Sequence, residues 1–317
     1  MKNDPIEAAL ARLDEIRAHA KEGRKDLAKA LAAKSNLVAA KAARIIGEAL
    51  AADLTGDLVA AFDRFLSRGP AGDKACAATT AIARALVKLD YDEADLFRRG
   101  MKHVQMEGTW GGSEDRAAEL RSVCATGLAN THDPHKLRDL VELLADREWQ
   151  ARAGAVRAIA AVGSDSSALL LRYKALIGDR EPEVLSDCLT GLIEIEGATA
   201  LPLAGALANA HEPEVREAAI LALGASRRAD AIELLQDKFG ATADPDTKKC
   251  ILLALASSRT EPAIGFLLDL IRNGGASTAN LAVAAMSIHR ADERLQEAIF
   301  EAVTAGRSRR ASSLPTS

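Results

Sequence analysis

Taking Arg216 as a reference position in residues 211–224, HEPEVREAAILALG, equivalent positions occur at Ala39, Thr79, Arg121, Arg152, Leu185, Lys248 and Ala279. From Arg121 onward they are separated by 31, 33, 31, 32 and 31 residues; before it the gaps are 40 and 42. Seven residues past each stand Ile46, Leu86, Leu128, Ile159, Leu192, Leu223, Leu255 and Met286, all apolar. Three residues past each stand Ala42, Ile82, Cys124, Ala155, Cys188, Ala219, Ile251 and Ala282. Offsets of three and seven share one face of an α-helix. A unit this short cannot bury such a stripe alone and must stack on its neighbours. The chain, at 317 residues, also exceeds the roughly 250–300 at which a single core stops growing.

Local signals agree with helices in this register. Three residues before the reference position stand Trp149, Pro182, Pro213 and Pro245, and proline suits a first helical turn because its missing N–H costs nothing there. Six residues before it stand Asp115, Asp146 and Asp179, placed to accept from free N–H groups of the entering turn. Partner helices are expected near 56–67, 92–105, 134–145, 165–178, 198–209, 228–239 and 260–273, separated by turns such as Gly163-Ser164-Asp165. Hydrophobic residues make up 48% but aromatics only 3%; Ala and Leu fill the difference, and both are strong helix formers. No alternating β-branched run occurs, so the expectation is all-α. Charged helices at 5–21 and 291–305 suit the two ends of a stack, where an outer face meets water. Residues 306–317, with Arg307, Arg309 and Arg310, have no apolar periodicity and are expected to be a disordered basic tail.

The pattern resembles the HEAT repeat family, including its phycobilisome-lyase-like branch. The matching residues are Asp146 with Ala151-Arg152, Asp179 with Val184 (Leu185 replacing the Arg) and Val215-Arg216; Thr247-Lys248 is conservative, while Thr278-Ala279 and Val38-Ala39 lose the charge. The resemblance covers roughly residues 24–305. It implies a right-handed α-α superhelix, a HEAT/armadillo-like solenoid of about eight hairpins, in one domain over 1–305. Residues 1–34 and 291–305 would cap repeats at 35–290. It also implies that the reference cations Arg121, Arg152, Arg216 and Lys248 bond turn aspartates or carbonyls, and that the reference helices line the concave side.

On that face the outward offsets are expected near +1, +4, +5 and +8. The candidate partner-binding residues are then Arg44, Arg84 and Arg157 in a mildly basic half, and Glu217, Ile220, Leu221, Leu252 and Leu253 in an apolar half. An apolar groove with few charges suits a partner helix or peptide; the competing reading is that those Leu and Ile residues pack against neighbouring helices. Residues 105–115, QMEGTWGGSED, lengthen one turn and carry Trp110 between glycines. Trp110 is therefore either a contact residue or a cover folded back on the core.

Several function classes lose support. Net charge is −4, so nucleic acid is not an expected partner. No apolar run of membrane-spanning length occurs, and the N-terminus lacks the apolar core of a signal peptide, which makes a cytoplasmic location the expectation. The four cysteines, Cys76, Cys124, Cys188 and Cys250, occupy helical apolar positions and read as buried free thiols. His132-x-x-His135 lacks a third ligand. His211-Glu212 stands alone, without the repeated His-Glu pairs of deoxyhypusine hydroxylase, another HEAT-like protein. His19, His103 and His289 are expected at the surface, and no nucleophile or phosphate-loop motif is present. The expectation is a non-enzymatic interaction scaffold without cofactor that binds a protein partner. The alternatives are a lyase-like or chaperone subunit acting on a cofactor-bearing protein, or a HEAT-like DNA glycosylase.

Overall fold

A computed structural model describes residues 5–19 and 23–312. The chain forms two compact units, Met1–Leu170 and Leu171–Ser317, where one continuous domain is expected from the repeat register. The first contains α1 (Pro5–Arg17), α2 (Arg24–Leu31), α3 (Asn36–Glu48), α4 (Thr55–Arg68), α5 (Ala77–Lys88), α6 (Ala94–Met101), an antiparallel hairpin of β1 (Met106–Thr109) and β2 (Gly112–Asp115), α7 (Ala118–Asn130), α8 (Lys136–Leu143) and α9 (Trp149–Val162). The division falls within α10 (Asp165–Ile177). The second unit continues with α11 (Pro182–Glu196), α12 (Leu201–Leu207), α13 (Pro213–Ala225), α14 (Ala229–Ala241), α15 (Pro245–Ser258), α16 (Glu261–Asn273), α17 (Ala276–Met286) and α18 (Glu293–Ser312).

In the first unit α3, α5, α7 and α9 stack side by side, with α4, α6 and α8 as hairpin partners; in the second, α11, α13, α15 and α17 stack, partnered by α12, α14 and α16. These stacked helices carry the reference positions. Every residue at offsets +3 and +7 is fully buried. A buried Leu or Ile contributes roughly 1.5–3 kcal/mol, so the stripe is the core. Pro182, Pro213 and Pro245 each open their helix. Glycine sets how closely some neighbours approach. A Cβ on Gly224 would lie 2.7 Å from the carbonyl oxygen of Ala254, and one on Gly154 2.6 Å from Cα of Ser122.

Within each unit polar bonds close the turns, and some of them reach the turn of the neighbouring repeat. Buried Arg121 donates to Asp115 at 2.7 Å, to the His103 carbonyl at 2.9 Å and to Asp146, the turn aspartate of the next repeat, at 2.9 Å. Asp115 also accepts from Gln105 N and Ala117 N, Asp146 from Glu148 N and Asp179 from Glu181 N. These carboxylates thus close the turn two residues ahead of themselves. Arg152 donates to the Asp146 and Arg147 carbonyls, and Arg216 to the Ala210 and His211 carbonyls and across to Thr247. Leu185 cannot take part, and in its repeat Lys174 pairs with Asp179 at 2.7 Å instead. Where Thr79 holds the reference position, buried Asp73 binds its N–H and hydroxyl and receives Asn36 from the preceding repeat. Asp73 also lies six residues before its reference position; the spacing signals it, but without an arginine beside it the motif is hard to see. Lys248 lies over the Phe239 ring rather than joining these bonds.

Burial opposes the charge on Arg121, but its bonds to Asp146 and Asp115 outweigh that and hold the guanidinium above its ordinary pKa. Burial likewise pushes Asp115 up; the Gln105 and Ala117 N–H groups and Arg121 more than offset it, and the carboxyl sits below the usual range.

Three expectations, on the insert, the C-terminal segment and His289, are corrected. The insert is a β-hairpin, paired from Met106↔Asp115 to Thr109↔Gly112, in a chain whose composition reads as helical throughout. Residues 306–312 continue α18 rather than forming a disordered tail. There Arg310 donates to the Ile271 and Gly274 carbonyls, Arg309 bonds Asn273, and buried Gly306 lies against the end of α16. Cations at a helix C-terminus offset its unsatisfied carbonyls, which gives the basic run a partner invisible to periodicity. Residues 313–317, and positions 20 and 21 of the expected first helix, lie outside the described residues. His289 is buried, with Nε2 2.9 Å from the Ala256 carbonyl, and is not a surface histidine.

Two outcomes are expected. In denaturant titrations Gly224→Ala should destabilise by about 1–3 kcal/mol through overpacking, whereas Gly265→Ala, in α16 with open space around it, should stabilise by about 0.5–1 kcal/mol. Equal effects would contradict the close approach of α13 and α15. Arg121→Leu, which strands two carboxylates, should cost about 3–5 kcal/mol at neutral pH. Asp115 has a depressed folded pKa, so its stabilisation is complete above the unfolded value of about 3.9 and is lost as pH falls through the folded one. The gap between Arg121→Leu and the parent chain should therefore narrow below about pH 4; a constant gap would remove the charge from the explanation.

Candidate partner-binding face

The stacked helices bury more of their circumference than a two-sided amphipathic helix does, because within each unit the inner ones, such as α5, α7, α13 and α15, meet a stacked helix on either side and a hairpin partner as well. Offset +4 falls on the same side as +3 and +7. Ala43, Ala83, Ala125, Val156, Leu189, Ile220 and Leu252 are accordingly buried. Ile220 and Leu252, expected in the groove, are core residues at 0% exposure. Their neighbours at +5 lie opposite the buried arc and face solvent: Arg44, Arg84, Thr126 and Arg157 in the first unit, Leu221, Leu253 and Ala284 in the second. Leu221 is 40% and Leu253 41% exposed. Glu217, four residues before Leu221, is exposed on the same helix.

The outward cations of the first unit differ in their engagements. Arg84 pairs with Glu119 of α7, so part of its charge is answered within the unit. Arg44 and Arg157 are exposed. Glu119 could be anticipated only from knowing which helices adjoin.

Trp110 does not cover the core; it is fully exposed. It and Gly111 form the two-residue tip of the hairpin, and Gly111 has φ +99° while Trp110 does not take positive φ, as a type II turn requires. The base of the hairpin is fixed. Gln105 Nε2 donates to the Asp73 carbonyl at 2.8 Å and to Glu107 at 2.7 Å, and Glu107 accepts from Ala75 N at 2.6 Å. Burial pushes Glu107 up, but the Ala75 N–H and Gln105 bonds prevail and lower its pKa.

The remaining chemistry is muted. Cys76, Cys124 and Cys188 are buried and Cys250 is half-buried, all free. Burial, reinforced by Asp73 at the first, pushes Cys76 and Cys188 up to about 12, Cys250 to about 11, and Cys124 further; none offers a thiolate nucleophile near neutral pH. His132 Nδ1 lies 2.8 Å from Asp92 at the surface. Among the described residues no group of three His, Cys, Asp or Glu is arranged to hold a metal ion, and no helix is long and apolar enough to cross a membrane.

Residues 171–256 match the family described as HEAT repeats. No curated protein matches the chain in sequence. Among known structures, a homology model of the full-length AP-3 complex in an intermediate open conformation is 16% identical, with 94% of this chain and 56% of that one covered and a TM-score of 0.54. The complex of CpcE and CpcF of phycocyanin lyase from Nostoc sp. PCC7120 is 18% identical over 72% of this chain and 88% of that one, with a TM-score of 0.35. Kap121p bound to Pho4p is 11% identical over 91% and 36%, with a TM-score of 0.46. At such identities the likeness is one of fold. Residues 171–256 are thus HEAT repeats, and the chain is an all-α protein of HEAT-like fold.

Proposed function

We propose that the protein is a non-enzymatic interaction scaffold whose second unit receives an amphipathic helix or peptide across α13 and α15. The observation that carries this reading is the +5 row. Seven of the eight stacked helices present an exposed side chain at this offset; in this unit Leu221 and Leu253 occupy it on the adjoining helices α13 and α15, with half-buried Thr190 before them and Ala284 after. Packed helices lie about 8–10 Å apart. That spacing approximates the roughly 10.5 Å between residues i and i+7 of an α-helix laid across them, so two apolar residues one heptad apart would meet both leucines. Small exposed neighbours, Ala225, Ser257 and Ala284, leave room for a backbone to approach. In the first unit the same offset presents Arg44, Arg84 and Arg157, a row suited to acidic side chains, and Trp110 offers a separate aromatic contact.

The test is site-specific photo-crosslinking in native extract. A crosslinking residue replacing Leu221 or Leu253 should capture one and the same protein, and one replacing exposed Glu233 on α14 should not. Leu221→Asp with Leu253→Asp should abolish binding of that protein while the helical circular dichroism is unchanged. Loss of two apolar anchors corresponds to about 2 kcal/mol each, or roughly thirtyfold in Kd each. Equal capture from position 233, or undiminished binding by the double variant, would overturn the assignment.

A further inference from the structure

Within the second unit one pair of partner helices stands apart. α14 packs directly on α16, whereas α12 hardly touches α14. A cleft of about 780 Å³ lies between α12 and α14, within the range of roughly 300–1,000 Å³ usual for a small-molecule site. Its walls are apolar. Leu201, Gly205 and Ala208 line one side, Leu234 and Ala241 the other. Leu201 and Ala208 are buried and form the floor. The gap follows from these residues, because α12 presents glycine and alanine where larger side chains would reach across to α14.

Polar groups converge on this cleft from both helices. Lys238 Nζ reaches from α14 to Asn209, just past the end of α12, and donates to its Oδ1 at 2.6 Å. Asn209 Nδ2 donates in turn to the Gly205 carbonyl at 3.0 Å. Both side chains line the cleft. Among the described residues Lys238 forms no ion pair; its partner is neutral. Burial and then the Arg216 cation lower its pKa. Arg216 itself is held by the Ala210 and His211 carbonyls and by Thr247, with Asp244 3.8 Å away. Asp237 borders the cleft but is exposed, where water screens its charge. A half-buried ammonium with a neutral partner and a like charge nearby is stabilised by an incoming anion.

We propose that the cleft between α12 and α14 binds a small aliphatic carboxylate, with its chain along the apolar walls and its carboxylate accepting from Lys238. From Leu234 to Ala241 the wall runs for roughly 10 Å of helix, room for a chain of roughly eight carbons. The charge selects an acid. A neutral ligand would serve Lys238 no better than Asn209 does, and a cation would meet both Lys238 and Arg216. The site lies on partner helices and is independent of the reading of Leu221 and Leu253, which the stacked helices carry.

Isothermal titration calorimetry of the full chain with octanoate and with octanol tests the site. The parent protein should bind octanoate saturably and more tightly than octanol. Lys238→Met, which keeps the apolar stem, should weaken octanoate roughly tenfold or more and leave octanol unchanged. Lys249→Met, which removes a cation from α15, should alter neither. Gly205→Leu should fill the cleft and abolish binding of both ligands; leucine is the better helix former, so circular dichroism should show the helices retained. Absence of saturable binding at millimolar octanoate, equal affinity for octanoate and octanol, octanoate binding indifferent to Lys238→Met, or binding retained by Gly205→Leu would overturn the proposal.

Discussion

The guanidinium of Arg121 closes two turns at once, its own through Asp115 and the next repeat's through Asp146. Buried as it is, this cation could not be tolerated without both carboxylates, and both turns would leave N–H groups loose without it. The same office is performed along the chain by different chemistry: Asn36 and Thr79 on Asp73, Lys174 on Asp179, Arg216 on Thr247. Each contact fixes where a stacked helix begins. A helix that begins at a fixed point presents the same offsets to its neighbours every time, so the buried arc at +3, +4 and +7 and the outward +5 position follow from the turns.

Much of this was legible before any coordinates. The apolar identity at +7 in eight copies and the prolines at the helix starts located the stacked helices, and all seven partner helices are present. Legibility failed where two elements distant in sequence had to be known together. Ile220 and Leu252 read as groove residues because a helix packed on one side would expose +4; packed on three sides it does not. Arg309 and Arg310 read as solvated until the carbonyl end of α16 was placed beside them. The strands at 106–115 carry no alternating apolar pattern because both faces are largely wet; they are held by backbone pairing and by Gln105 and Glu107 at the base.

The surfaces left over differ in kind. The +5 positions are a by-product of the register, and the chain has placed arginine on three of the four in one unit and leucine on two of the four in the other. Trp110 stands on an insert that the stacking does not need. These surfaces ask for separate contacts.

The central claim is that the stacked helices α13 and α15 bury offset +4 and expose offset +5. Thiol labelling tests it most directly. In a background carrying Cys250→Ser, single cysteines at 220, 221, 252 and 253 would be reacted under native conditions with a small maleimide. The account predicts rapid labelling at 221 and 253 and protection at 220 and 252 until the protein unfolds. Comparable rates within each adjacent pair would contradict it.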